Sequence, residues 1–425
     1  MRRALLLLFA VALIAAAQAQ APFYLHDGDR VVFYGDSITD QRLYTTFVES
    51  YAVTRFPEMK VSFVHSGWGG DRVSGGGGGP VDVRLWRDVY AYKPNVITVM
   101  LGMNDGRYRA FDQAIFDEYA NGYRHIVQSV KSALPGIRMT LIQPSPYDDV
   151  TRAPSFEGGY NQVLVRYGDF VKELASKESL DAADMNAYVV AALAKATDLD
   201  SAKAAELIKD RVHPGAGGHL LMAAALLKAW NAPAIVSSAE LDASRGALKG
   251  DSTSTISGFE HAGGAVRWKQ LDAALPMPLD LKDPAIALAL LSSDFADTLD
   301  RQMLRVSGLT APSYRLRIDG TDAGTFSREQ LAAGVNLAAV DTPMLRQALA
   351  VHDLTLKHNN IHFARWRQVQ VPLEREELER KAAAMAALDG LENELIARQR
   401  DMAKPRPHSF ELVPAPAAGS ASGGQ

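Results

Sequence analysis

The stretch Arg30-Val31-Val32-Phe33-Tyr34-Gly35-Asp36-Ser37-Ile38-Thr39-Asp40 joins a short, β-rich apolar run to a glycine turn and then to a serine. A compact apolar run closed by a turn signal reads as a buried strand, and a serine just past it stands at the end of a sheet. The pattern repeats downstream. Gly69-Gly70-Asp71 follows a strand at 60–64. Gly102-Met103-Asn104-Asp105 follows 95–101, where Asn-Val-Ile-Thr-Val-Met-Leu is the clearest buried strand in the chain. A fourth strand is expected at 137–142. Helical spacing separates them, at 44–56, 82–92, 112–133 and 160–176, with a last helix at 217–230.

Strands alternating with helices of this length imply βαβ units and a parallel sheet covered on both faces. Ligands bind beyond the carboxyl ends of such strands. Ser37, Gly70 and Asn104 therefore share one rim. Asp210-Arg211-Val212-His213-Pro214 lies in a loop just before the last helix.

These residues make up the parts for acyl transfer through a serine ester. A serine hydroxyl needs a base, here His213, and the base needs a carboxylate to hold its tautomer, here Asp210. The tetrahedral intermediate needs donors, which the Ser37 and Gly70 N–H groups and the Asn104 amide can offer. Each residue also has a plain structural reading. Gly-Asp-Ser can be a turn, Asp210 a helix cap and His213 a surface loop residue. Gly70 can be a flexible turn, and Asn104 an Asx-turn at a strand end.

In order and spacing the four motifs resemble the SGNH hydrolases, also called the GDSL esterase/lipase family, over about residues 28–230. The resemblance implies an α/β fold with a flavodoxin-like parallel sheet sandwiched by helices. It also implies a catalytic set of Ser37, Asp210 and His213, and an oxyanion hole formed by Ser37, Gly70 and Asn104. One position departs from the pattern. The family's second block usually carries an Asn several residues before the oxyanion glycine, and His65 stands there, expected to be a structural partner rather than a second base. No cofactor and no metal are expected. His358 and His362 stand four apart on an expected helix, but Asn-Asn-Ile between them lacks a metalloprotease glutamate.

The chain has 425 residues, no cysteine and a formal net charge of −4. Without cysteine there is no disulfide, thiolate metal site or lipid attachment motif. Without a Lys/Arg-rich block, nucleic acid and anionic membrane surfaces are poor partners. Residues 1–19 read as a signal peptide, with Arg2 and Arg3 before an apolar run and cleavage after Ala19. The expectation is a periplasmic or secreted protein without stable membrane insertion.

The expected divisions are a catalytic domain at 22–235, a small β-rich module at 236–340, a helical segment at 341–404 and a disordered tail at 405–425. In the module, residues 304–319 alternate apolar and polar, Asp319-Gly320 offers a turn, and Gly324-Thr325-Phe326 can pair back. Leu388, Leu391 and Leu395 form an apolar stripe on the last helix, read as its packed face. The run from Gly75 to Gly79 reads either as a hinge for a lid or as a solvated loop. Trp68, Tyr147, Asp148 and Asp149 are candidate sugar contacts near the rim.

The expected activity is that of an exported serine esterase removing acyl groups, acetyl first, from a polysaccharide or small glycoside. A lipase, arylesterase or thioesterase with an apolar acyl pocket is the enzyme alternative. A non-catalytic carbohydrate-binding protein on a hydrolase fold is the alternative of another class, which predicts a broken constellation.

Overall fold

A computed structural model describes residues 22–416, so the expected signal segment and residues 417–425 lie outside the described residues. Five strands, β1 (Arg30–Gly35), β2 (Ser62–Gly67), β3 (Val96–Met100), β4 (Arg138–Ile142) and β5 (Asp181–Ala183), form a sheet in the order β2-β1-β3-β4-β5. Every pairing in it is parallel. This is the flavodoxin-like order, which reverses between β1 and β3 and opens a crevice there. All five residues of β3 are buried, as are the last five of β1, which is why both read as continuous apolar runs.

Helices α1 (Ser37–Asp40), α2 (Leu43–Arg55), α3 (Val81–Asp88), α4 (Gln113–Ala133), α5 (Gly159–Glu178), α6 (Met185–Leu199) and α7 (Ala216–Ala229) flank this sheet. Right-handed crossovers place α2 on one face and α3, α4 and α5 on the other. α7 packs on α2 and α6. Strand β5 and helix α6 are additions to the expected set. The three residues of β5, Asp-Ala-Ala, carry no strand signal of their own.

The second half holds two further sheets. Strands β6 (Ile235–Asp242), β7 (Ala247–Gly250), β8 (Ser254–Ala262), β9 (Ala265–Asp272), β10 (Arg301–Ser307), β11 (Ser313–Ile318), β12 (Thr321–Ser327), β13 (Val335–Asn336) and β14 (His408–Ala415) arrange as β8-β9-β14-β11-β12 and β13-β10-β6-β7. The expected hairpin is present, with Tyr314 opposite Phe326 and Leu316 opposite Gly324. Asp319 and Gly320 take φ of 50° and 77° at its turn, the left-handed pair of a type I′ turn.

Three expectations need correction. The alternating run 304–319 is two strands in different sheets, broken at Gly308, whose φ is 71°. Residues 277–299 do not belong to a β module. Met277, Leu279, Ile286, Leu288, Phe295 and Leu299 are buried in the hydrolase core, and the helix Pro284–Leu291 packs on α7.

The tail from 405 is not disordered over its described part. β14 pairs with β9 on one side and β11 on the other, with Phe410 and Leu412 buried between them. Its prolines and small residues hide a period-two pattern only three positions long. Ending the chain at Lys404 would remove a central strand and two fully buried apolar side chains, a loss of about 5 kcal/mol. The expected outcome is an aggregating or protease-sensitive product. A truncated protein that melts at the full-length temperature would contradict this.

Helix α8 (Pro343–Phe363) continues through a π-helical turn, Ala364–Gln370, and is followed by α9 (Lys381–Met402). α8 packs against both α2 and α9. Of the leucine stripe on α9, Leu388 and Leu395 are half-buried on the side that also carries Glu392 and Gln399. Leu391 is 43% exposed, whereas Glu392, Gln399 and Arg400 reach partners on α8 and on residues 49–61. This covers α2 on two sides, and twelve of its thirteen residues are buried.

Candidate active site

Ser37 begins α1 directly after β1, so its side chain sits at the carboxyl rim of the sheet. The turn is tight. A Cβ on Gly35 would lie 2.2 Å from Thr39 Oγ1 and 2.8 Å from the Met100 carbonyl, so only glycine lets α1 fold back there. Asp36 caps the helix by accepting the Ile38 N–H at 3.0 Å, which satisfies one orphan donor of the first turn.

Ser37 Oγ lies 2.8 Å from His213 Nε2, and His213 Nδ1 lies 2.7 Å from Asp210 Oδ2. The other Asp210 oxygen accepts the N–H groups of Val212 at 3.0 Å and His213 at 2.7 Å. Asp210 therefore both closes the loop, the plain structural role, and orients the imidazole. Partial burial works against its ionisation, but the hydrogen bonds from His213 and Val212 outweigh this and hold it below the usual carboxylate range.

The loop bearing these two residues is fastened at several points. Ile208 and Pro214 form a β-bridge across its base. Arg211, at φ 72°, donates to the Ala153 carbonyl at 3.0 Å and to Asp149 at 3.3 Å. Arg152 donates to the carbonyls of Ile208, Ala205 and Lys209 and to Asp148. These two arginines were not singled out in the sequence, because their acceptors are mostly carbonyls that carry no sequence signal. The same bonds correct two candidate sugar contacts. Asp148 is fully buried and caps its own turn, and Asp149 holds Arg211 and the Asn161 N–H.

Gly70 has φ 77° and nothing within 4 Å of where a Cβ would sit. Glycine is required there by backbone conformation rather than by crowding. Its loop is tied to the loops after β1 and β3. The Trp68 N–H donates to the Gly35 carbonyl at 2.9 Å and the Gly69 N–H to Asp40 at 3.2 Å. The Val73 N–H donates to Asp105 at 3.0 Å, and Asn104 Nδ2 donates to the Asp71 carbonyl at 3.0 Å. Ser37, Gly70 and Asn104 are thus set on three interlocked loops at the β1/β3 crevice.

Two carboxyls in these loops are pushed up to about 7. Burial is the main cause for both Asp36 and Asp105, and nearby carboxylates add to it at Asp36. Near neutral pH these two carboxyls are therefore only partly ionised, and they oppose a developing anion less than full carboxylates would. Below them, the fully buried Arg84 donates to Asp71 at 2.7 Å and to the Ser66 carbonyl at 2.8 Å, and pairs with Asp88.

The Gly75–Gly79 run is a pinned turn. Gly75–Gly76 pairs with Gly79–Pro80, Arg87 donates to the Gly78 carbonyl at 2.9 Å, and a Cβ on Gly78 would strike Arg84 and Trp68 at 2.6 Å. Trp68 is also engaged, with the Arg367 guanidinium 3.4 Å from its ring centroid and Trp366 edge-on at 5.7 Å. Arg367 comes from the π-helical turn, so the C-terminal segment braces the loop that carries Gly70. Tyr147 is half-buried beside Tyr108 and Tyr160.

His65 is buried, with Nδ1 2.7 Å from Thr45 Oγ1 and Nε2 3.1 Å from Glu49. His358 lies 2.6 Å from Glu49, and His362 lies 3.3 Å from Glu392. Among the described residues, no group of three or more His, Asp or Glu is placed to hold a metal ion.

A doubly wound α/β sheet with a serine, histidine and aspartate joined at its rim has the form of a hydrolase. Residues 33–221 match the GDSL-like Lipase/Acylhydrolase family. The acetylxylan esterase of Geobacillus stearothermophilus is 26% identical over 223 residues, 47% of this chain and 93% of that protein. A gut microbial diltiazem-metabolizing enzyme is similar over nearly the whole chain, with a TM-score of 0.80, 26% identity and coverage of 93% of this chain and 100% of that one. A crystal structure of the acetylxylan esterase matches with 25% identity and a TM-score of 0.41, over 49% of this chain and 96% of its own. Residues 33–221 thus form an SGNH hydrolase domain, and the activity it supports is that of a carboxylic ester hydrolase.

Proposed function

We propose that this protein is an exported serine esterase that removes acetyl groups from a polysaccharide or glycoside through an acyl-enzyme on Ser37. The observation that carries the reading is the continuous chain from Asp210 through His213 to Ser37, at 2.7 and 2.8 Å. His213 Nε2 takes the hydroxyl proton as Ser37 Oγ attacks the ester carbonyl, and Asp210 holds the imidazolium that forms. The oxyanion is received by the N–H groups of Ser37 and Gly70 and the Asn104 amide. As the intermediate collapses and its bond to the sugar oxygen breaks, His213 gives the proton to that oxygen, which leaves as a hydroxyl. A water then attacks the acyl-enzyme by the same route and releases acetate.

The relative named as an acetylxylan esterase supports the choice of acyl group and of a carbohydrate alcohol. Export rests on the charged and apolar pattern of residues 1–19. The test is hydrolysis of p-nitrophenyl acetate, butyrate and octanoate beside acetate release from acetylated xylo-oligosaccharides. A steep preference for acetate together with acetate release is expected. Preference for octanoate would overturn the acyl assignment in favour of an apolar acyl pocket.

A further inference from the structure

The loop that follows Asn104 carries a feature that none of the expected catalytic parts uses. Arg107 and Tyr108 have φ of 57° and 53°. Two successive residues with side chains in the left-handed region are rare, and they persist only where the surroundings hold them. Those surroundings are visible. A Cβ on Gly106 would lie 2.5 Å from the Tyr160 hydroxyl, and that hydroxyl donates to the Met103 carbonyl at 2.6 Å. The Arg107 N–H donates to the Asn104 carbonyl at 3.3 Å, and the Tyr108 ring lies 5.1 Å from that of Tyr160.

The outcome of this strained path is one hydrogen bond. The Tyr108 hydroxyl donates to Asn104 Oδ1 at 2.9 Å. Its direction follows from the neighbours. The Asp71 carbonyl only accepts, so Asn104 must turn Nδ2 toward it, at 3.0 Å. Oδ1 is then left facing Tyr108, which has to donate. Burial pushes the Tyr108 hydroxyl up to about 12, so it keeps that proton at ordinary pH. Among the described residues the second Nδ2 hydrogen has no protein acceptor. A flipped amide would exchange this free donor for an acceptor, at the place where negative charge develops.

We propose that Tyr108 is a positioning residue for ester hydrolysis, locking and polarising the Asn104 amide so that its free N–H faces the oxyanion. The inference rests on Asn104 serving as an oxyanion donor. It adds a residue outside the four motifs, held in a strained backbone conformation by the packing around Tyr160 rather than by a strand end.

A double-mutant cycle with p-nitrophenyl acetate tests it. Asn104→Ala should lower kcat by about a hundredfold or more. Tyr108→Phe, which keeps the ring, should lower kcat by about tenfold with KM within about twofold and an unchanged melting temperature. The double variant should be no slower than Asn104→Ala, because Tyr108 acts only through that amide. A merely structural tyrosine would lower the melting temperature and slow both backgrounds equally. Wild-type kcat in Tyr108→Phe, or a full additional loss in the double variant, would overturn the Tyr108 proposal and leave Asn104 in its role. Wild-type kcat in Asn104→Ala would overturn both.

Discussion

Ser37→Ala is expected to abolish ester hydrolysis, with kcat reduced by a factor on the order of 10⁴ to 10⁶ and the melting temperature unchanged. Among the described residues, the Ser37 side chain makes a single hydrogen bond, to His213 Nε2 at 2.8 Å. The α1 turn is held instead by Asp36, by the close approach of Gly35 and by the loops after β2 and β3. Losing one hydroxyl at a helix start therefore leaves the fold intact and removes the nucleophile. The oxyanion donors remain, so slow residual turnover over water is expected. Steady-state kinetics on p-nitrophenyl acetate decides it. Turnover within tenfold of wild type would mean that Ser37 does not carry the acyl group.

Glu49→Ala should destabilise the protein by about 3 to 5 kcal/mol. Glu49 is buried on α2, where it meets His65 at 3.1 Å, His358 at 2.6 Å and Gln399 at 3.0 Å. It thus joins the hydrolase domain to both C-terminal helices. His358 is also 3.8 Å from Glu392. Burial works against charge on His358, but the charge of Glu49 first, with Glu392 adding, raises it from 6.5 to about 9. Burial likewise opposes ionisation of Glu49 and Glu392, yet the facing histidines pull both below the usual carboxylate range.

The sign for each group follows from these directions. The His358 contribution is complete below about pH 6.5 and is lost as pH rises through about 9. The Glu49 and Glu392 contributions are complete above the ordinary carboxylate value and are lost as acid protonates them. Urea unfolding of wild type should therefore show stability falling from neutral pH toward pH 9, with a flatter profile for His358→Gln. Equal stability of Glu49→Ala and wild type would show that this cluster does not hold the segments together.

Much of the first half is legible because its signals are local. An apolar run bounded by glycine marks β1 and β3, and the motif residues follow the strands they belong to. The parts that escaped depend on distant partners. Thr45, Thr46, Glu49 and Ser50 are polar residues of α2, yet all are buried, against His65, Asn359, His358 and His352. Three of these partners lie about 300 residues downstream, where no local pattern points to them. β14 escaped for the same reason, since a strand sandwiched between two others needs little β-propensity of its own. The Leu388-Leu391-Leu395 stripe was legible in part: Leu388 and Leu395 are half-buried on the side of α9 that carries Glu392 and Gln399, whereas Leu391 is exposed. Tyr108 was passed over because its value lies in a φ angle that the residue type does not announce.

The most direct test of the account is covalent labelling of the protein with a fluorophosphonate, followed by peptide mass spectrometry. The Asp210–His213–Ser37 arrangement predicts a single adduct, on Ser37, that blocks p-nitrophenyl acetate hydrolysis in proportion to labelling and is absent from Ser37→Ala. An adduct on another residue, or full esterase activity in protein that is fully labelled at Ser37, would contradict it.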